Sequence, residues 1–255
     1  MRQILSILIL LLTTYACNNI LSNDKQTIEI DLPDTSSSQP SKMYYLTKNK
    51  ATAELMMDKL ENGVDSLEIR LWGQVANLKI GHVYVIKKIS NQWTCLDYSY
   101  LQTYPTFEGL IYTKVYWTSF IIDTFWINKK QPKTNWNNFF NAIENEGIYD
   151  LPSQSEIKGF RSDFIHGIDY FVEYATNKKY KFYWYNCPDC YEDRFQECKH
   201  MTNILEVFHR EFGLSLKLNP IQENDYRCRP KKTAQPITGA LHQAGCGKNL
   251  KGMEN

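Results

Sequence analysis

Ile168-Asp169-Tyr170-Phe171-Val172-Glu173-Tyr174-Ala175 and, after the polar Asn177-Lys178-Lys179, Tyr180-Lys181-Phe182-Tyr183-Trp184-Tyr185 decide the fold class of this 255-residue chain. Both runs are dense in aromatic and β-branched side chains, which suit a pleated surface, and the short polar link suits a hairpin. Ile157 to Phe164, joined to the first run through Ile165-His166-Gly167, extends the pair into an antiparallel meander. Upstream, Leu67-Glu68-Ile69-Arg70-Leu71-Trp72 alternates apolar and polar side chains, the period of a half-buried strand. Gly81 to Ile89 and Trp93 to Leu101 are strands around Ser90-Asn91-Gln92, and Leu110 to Ile122 is a further extended run.

Helical periodicity separates these strands. Ala51 to Asn62 predicts a short helix closed by Gly63. Thr134 is placed to cap a helix whose apolar residues Trp136, Phe139, Phe140 and Ile143 fall at i, i+3, i+4 and i+7, with Gly147 as its stop. A last helix from Asp193 to Glu211 carries the stripe Cys198, Met201, Ile204, Leu205, Phe208 and Phe212, and Gly213 ends it. Runs of strands broken by separate helices predict an α+β fold, a largely antiparallel sheet packed by a few helices in one domain.

The ends of the chain are of another kind. Arg2, the apolar run Ile4 to Leu12 and the small or polar residues up to Ala16 have the order of a secretory signal, and the run is too short to span a bilayer as a mature helix. Cys17 directly follows a small residue at the expected cleavage point, an arrangement that resembles the lipobox of bacterial lipoproteins. Thr14 stands where leucine is commoner, which resembles the looser lipobox of Bacteroidetes. The resemblance implies cleavage after residue 16, palmitate-type acylation of Cys17, and a lipid anchor in the outer membrane. Asn18 to Ser22 carries no acidic run, which in such lipoproteins points to the periplasm-facing side.

Residues 17–41, with Ser36-Ser37-Ser38, Pro33 and Pro40, are expected to form a flexible tether whose strand-like piece is Thr27 to Ile30. The globular domain is placed at 42–220. Residues 221–255 are expected to be a mobile, mildly basic tail containing cysteines.

Trp136 with its helix, Gly147-Ile148-Tyr149-Asp150-Leu151-Pro152, the pair Tyr170-Phe171-Val172-Glu173 and Tyr180-Lys181-Phe182-Tyr183, and Asn186 with Pro188 resemble uncharacterised Bacteroidetes lipoproteins. The turn before Tyr-x-x-Glu is His166-Gly167 here, where the resembling proteins have Asp-Gly. This resemblance covers the last half of the domain and implies an envelope lipoprotein without assigning chemistry.

Composition narrows the partners. The chain has 29 basic and 28 acidic residues, and loss of the leader removes Arg2 alone, so the mature chain balances at 28 against 28. Nucleic acid, which needs a concentrated positive surface, is excluded as the main partner. Aromatic content of 14% leaves room for an exposed binding surface, for which Tyr112, Tyr116 and Trp184 are the candidates. A glycan or an envelope protein is the matching ligand class.

Chemistry is expected, if anywhere, at Cys187-Pro188-Asp189-Cys190, Cys198 and His200. As metal ligands these read C-x2-C-x7-C-x-H, enough donors for zinc. Residues two apart on a helix point about 200° from each other, however, so Cys198 and His200 would not grip one ion. Disulfide bonding or packing is therefore the expectation, with zinc or thiol redox chemistry as the alternative. Cys228 and Cys246 are placed to close a small tail disulfide, although Cys95 is an equally allowed partner, and six cysteines permit fifteen pairings. No metalloprotease, nucleotide-binding or serine-hydrolase motif is present, and Asp163, Asp169 and Glu173 are the acids that share a sheet region. The sequence thus predicts a non-catalytic binding lipoprotein without cofactor. An inhibitor or immunity-type protein is the remaining alternative.

Overall fold

Two of the three strands of the expected meander, over residues 168–175 and 179–186, pair antiparallel within one sheet. The computed structural model describes residues 27–36, 39–75, 80–103, 119–161, 168–214 and 227–228. Its strands are β1 (Glu29–Asp31), β2 (Glu68–Val75), β3 (Ile80–Ile89), β4 (Gln92–Thr103), β5 (Ile121–Lys130), β6 (Ile168–Ala175), β7 (Lys179–Asn186) and β8 (Arg227–Cys228). The helices are α1 (Gln39–Glu54), α2 (Trp136–Asn145) and α3 (Gln196–Phe212). The strand order is β1-β7-β6-β2-β3-β4-β5-β8, antiparallel throughout except where β1 runs parallel to β7. The chain is a single α+β domain.

Local chemistry explains the register. Ile89 pairs with Gln92, so Ser90 and Asn91 make a two-residue turn, and both have positive φ (50° and 61°), as a turn matched to strand twist requires. Between β6 and β7, Thr176 Oγ1 accepts from the backbone N–H groups of Lys178 and Lys179. Gly81 lies beneath a ring: a Cβ there would stand 2.3 Å from Tyr100 Cζ, so only glycine lets β3 run under Tyr100.

Both faces of the sheet are covered. On one side α2 and α3 bury Phe139, Ile143, Met201, Ile204 and Phe208 against Leu71, Ile86, Val172 and Tyr183. Rings stack through this layer, with Phe139 and Phe208 centred 5.3 Å apart and Phe139 and Phe212 4.9 Å apart. On the other side α1 covers Trp72, Val85, Phe171, Phe182 and Trp184.

Several expectations are corrected. Helix α1 starts at Gln39 and ends at Glu54, whereas Leu60–Asn62 is a single 3-10 turn closed by Gly63 at φ 77°. Met56 at φ 55° breaks the helix that the sequence ran through it. Asn135, not Thr134, caps α2: its side chain accepts from the Asn138 N–H at 2.9 Å, while Thr134 donates to Glu211.

Ile157 follows the 3-10 turn Gln154–Glu156, and Gly159 at φ 80° stops any strand from 157 to 161; residues 162–164 lie outside the described part. Of the strand expected over 110–122, residues 110–118 lie outside the described part, 119 and 120 are in no strand, and β5 begins at Ile121 and runs on to Lys130. The expected tether is in part structural, because the Glu29 N–H donates to Lys178 O at 2.8 Å and Lys181 pairs with Asp31 at 2.9 Å. β8 likewise draws Arg227 and Cys228 of the expected tail into the sheet beside β5. The fold therefore extends beyond 42–220 on both sides.

Candidate functional site at the open end of the sheet

Strand polarity gathers the connections. β2 ends at Val75, β3 starts at Ile80, β4 ends at Thr103, β5 starts at Ile121, β6 starts at Ile168 and β7 ends at Asn186, all at one end of the sheet. The opposite end carries the tight turns at Ser90-Asn91 and Thr176 to Lys178. Function gravitates to the end with the longer connections, since backbone there is free to be shaped without cost to the ladder.

A polar clasp braces this end from inside. Asp169 Oδ1 accepts from Tyr44 Oη of α1 and from Asn186 Nδ2 of β7, each at 2.8 Å. Burial drives the Asp169 pKa up from 3.8 to about 6, against the downward pull of those two hydrogen bonds. The backbone of Asn186 is held in turn by Gln154, whose Oε1 accepts from the N–H at 2.7 Å and whose Nε2 donates to the C=O at 3.0 Å.

The next residue opens the rim. Cys187 takes the left-handed conformation (φ 46°, ψ 58°), its N–H donates to Ile168 O at 3.0 Å, and buried Pro188 starts a 3-10 turn that ends at Cys190. Cys187 and Cys190 form a disulfide with Cα atoms 5.4 Å apart. Cys187 is half-buried, and Asp189 and Cys190 are exposed. Asp189 Oδ1 stands 3.4 Å from Cys187 Sγ.

The other sequence candidates are scattered. Cys198 is a free, fully buried thiol on α3, where burial pushes its pKa up to about 11. His200 pairs through Nδ1 with Glu146 at 2.8 Å, at the end of α2. Neither joins Cys187 and Cys190, so among the described residues the four candidates do not form one ligand set.

Trp184 is 5% exposed and donates from Nε1 to Ser41 Oγ, so it is a core residue and not part of a binding surface. Tyr112, Tyr116, Asp163, Cys17 and Cys246 lie outside the described residues, and Cys228 is placed by its backbone alone. His82 approaches Ser99 Oγ (3.1 Å) and Asp97 (4.0 Å) through the same nitrogen, Nδ1. A hydrolytic triad needs the two on opposite nitrogens, so this is no catalytic relay.

What sequence reasoning missed is the ion cluster under α1. Lys48 Nζ lies 3.0 Å from Glu173 Oε1, 3.0 Å from Glu61 Oε1 and 3.0 Å from Tyr180 Oη. Glu173 also accepts from Tyr180 Oη at 2.9 Å and from Trp72 Nε1 at 2.8 Å. Asp169 and Glu173 do share one face of β6. They are four residues apart on a strand, roughly 13 Å, each locked in its own hydrogen bonds, which is too far for paired acid–base work. Arg70 packs beside them and pairs with Glu68 at 2.8 Å. Comparison with family models, with curated proteins and with solved structures finds no match for this chain.

Proposed function

We propose that this chain is an exported lipoprotein of the bacterial cell envelope, anchored through Cys17 to the outer membrane and facing the periplasm. Its folded domain binds an envelope protein or a glycan at the open end of the sheet and catalyses no reaction. The observation that carries the reading is the partly exposed Cys187–Cys190 disulfide at that end. Exposed disulfides persist in oxidising compartments, in agreement with an N-terminal secretory leader that ends on a cysteine.

Binding is assigned to the rim because helices cover both faces of the sheet. The Asp169 clasp, the Gln154 clamp and the disulfide hold the rim in place before a partner arrives, which lowers the ordering cost of association.

Intact mass spectrometry of the full-length chain, extracted from its own membranes without reductant, tests the address. The expected result is a chain beginning at Cys17 with added acyl mass, and Cys17→Ala abolishes that mass and membrane retention. An unacylated chain retaining residues 1–16 refutes the anchor. For binding, a photo-crosslinker at Asp189 should capture one defined protein or glycan species and the same group at exposed Lys199 of α3 should not. Equal capture from both positions refutes the rim.

A further inference from the structure

The disulfide hides a second chemical state. Cys187 Sγ, Cys190 Sγ and a carboxylate oxygen of Asp189 lie within 4.8 Å of one another. In the oxidised chain neither sulfur carries a proton to donate, so the 3.4 Å approach of Asp189 to Cys187 is a carboxylate against a neutral disulfide. Once reduced, two thiols and a carboxylate share that space, three donors of the kind that a thiophilic cation takes.

The frame does not depend on the sulfur–sulfur bond. Cys187 is tied to β6 through Ile168 O, the Cys190 N–H donates to Cys187 O at 3.0 Å, the Tyr191 N–H donates to Pro188 O at 3.0 Å, and Pro188 is buried. These bonds hold the backbone that carries the three donors without help from the sulfur–sulfur bond. Asp189 and Cys190 are exposed, so an ion has a path in.

We propose that reduction of Cys187–Cys190 converts this rim into a three-donor site for a thiophilic divalent cation of the zinc class, with Cys187, Asp189 and Cys190 as ligands. A dithiol reductant supplies two electrons and becomes a disulfide, while Cys187 and Cys190 each gain a proton. The cation then displaces both thiol protons to solvent and keeps its own charge state. Two thiolates and one carboxylate suit tetrahedral zinc, and the fourth position stays open to water or to a ligand from outside. Because the cation binds only the reduced form, it draws the disulfide equilibrium toward reduction. The site does not rest on the lipid anchor or on a binding partner.

Zinc titration of the full-length chain, followed by competition with a chromogenic chelator, tests the site in oxidised and reduced samples. The expected result is one additional zinc per chain after reduction, absent from the oxidised chain and from C187S/C190S. Asp189→Asn, which retains the disulfide and the fold, should weaken zinc binding about tenfold or more, the order expected when one charged ligand is lost. Cobalt in place of zinc should give the visible bands of a tetrahedral thiolate site in the reduced chain. No gain of zinc on reduction, equal binding by C187S/C190S, or affinity unchanged in Asp189→Asn overturns the proposal.

Discussion

The two faces of the sheet are held by different physics. Under α2 and α3 the contacts are chiefly apolar and aromatic, with Cys95 and Cys198 as buried thiols, and the buried Glu211 of α3 is held by Thr134 and Arg210. Under α1 the same sheet buries charge: Lys48 is 1% exposed, Glu173 1%, Arg70 2% and Asp169 6%. The first face is non-directional and tolerates repacking. The second depends on each charge keeping its partner, because a lone buried ion costs far more than a pair.

The largest expected effect comes from breaking that partnership. Lys48→Met keeps the aliphatic stem and leaves Glu173 without its cation, which should cost about 3–5 kcal/mol in urea unfolding. Trp72 and Tyr180 still donate to Glu173, so the fold should survive in weakened form. Glu173→Gln in the same chain removes the orphaned charge while still accepting hydrogen bonds, and the double variant should recover most of the loss. If Lys48→Met and Glu173→Gln are additive, the buried ions are not acting as a pair.

Asp169 sharpens the contrast from the other direction. Burial raises its pKa to about 6, so the folded chain binds this proton more tightly than the unfolded chain does. The stability linked to this group is therefore greatest below about pH 4, declines as pH rises toward 6, and stays low above that. Asp169→Asn retains an oxygen to accept from Tyr44 and Asn186 and removes the buried charge. It should gain on the order of 2–3 kcal/mol at pH 7, a shift of about two pKa units, and nothing at pH 4. Glu211 runs the opposite way: burial raises its pKa, but the hydrogen bonds from Thr134 and Arg210 outweigh that and leave it lowered, so its contribution fades in acid. Melting curves of both chains from pH 4 to 8 decide it, and parallel curves would mean Asp169 carries no buried charge.

The same division explains what could be read in advance. Helices α2 and α3 were legible because Phe139 and Ile143, and Cys198, Met201, Ile204 and Phe208, repeat at helical spacing and are apolar. In α1 the buried stripe also repeats at helical spacing, through Ser41, Lys48 and Thr52 to Leu55 just past its end, but within the helix it is mostly polar, so a search for apolar periodicity begins only near Ala51. The sheet pairs Arg70 with Glu173, a contact fixed by register and invisible along the chain. At the rim, Cys187 and Cys190 announced themselves by spacing. Asp189 lies between them, but spacing does not mark it as a donor, because which way a loop carboxylate points depends on the left-handed turn at Cys187.

The smallest effect is the control for the comparison. Ile204 is fully buried between α3 and the sheet, and Ile204→Val removes one methylene without creating a polar or charged orphan. The loss should be about 0.5–1.5 kcal/mol, the transfer term plus a small cavity. It should be the same at pH 5 and pH 8, because the cluster around it is apolar and the buried carboxylate of its own helix, Glu211, is held below its ordinary pKa and stays charged across that range. Against Asp169→Asn, whose effect grows through that interval, a flat response isolates the electrostatic face as the pH-sensitive one. A cost for Ile204→Val that rises or falls by 1 kcal/mol or more over the same range would mean that the two faces unfold as coupled layers, with ionisation under α1 loosening the packing under α3.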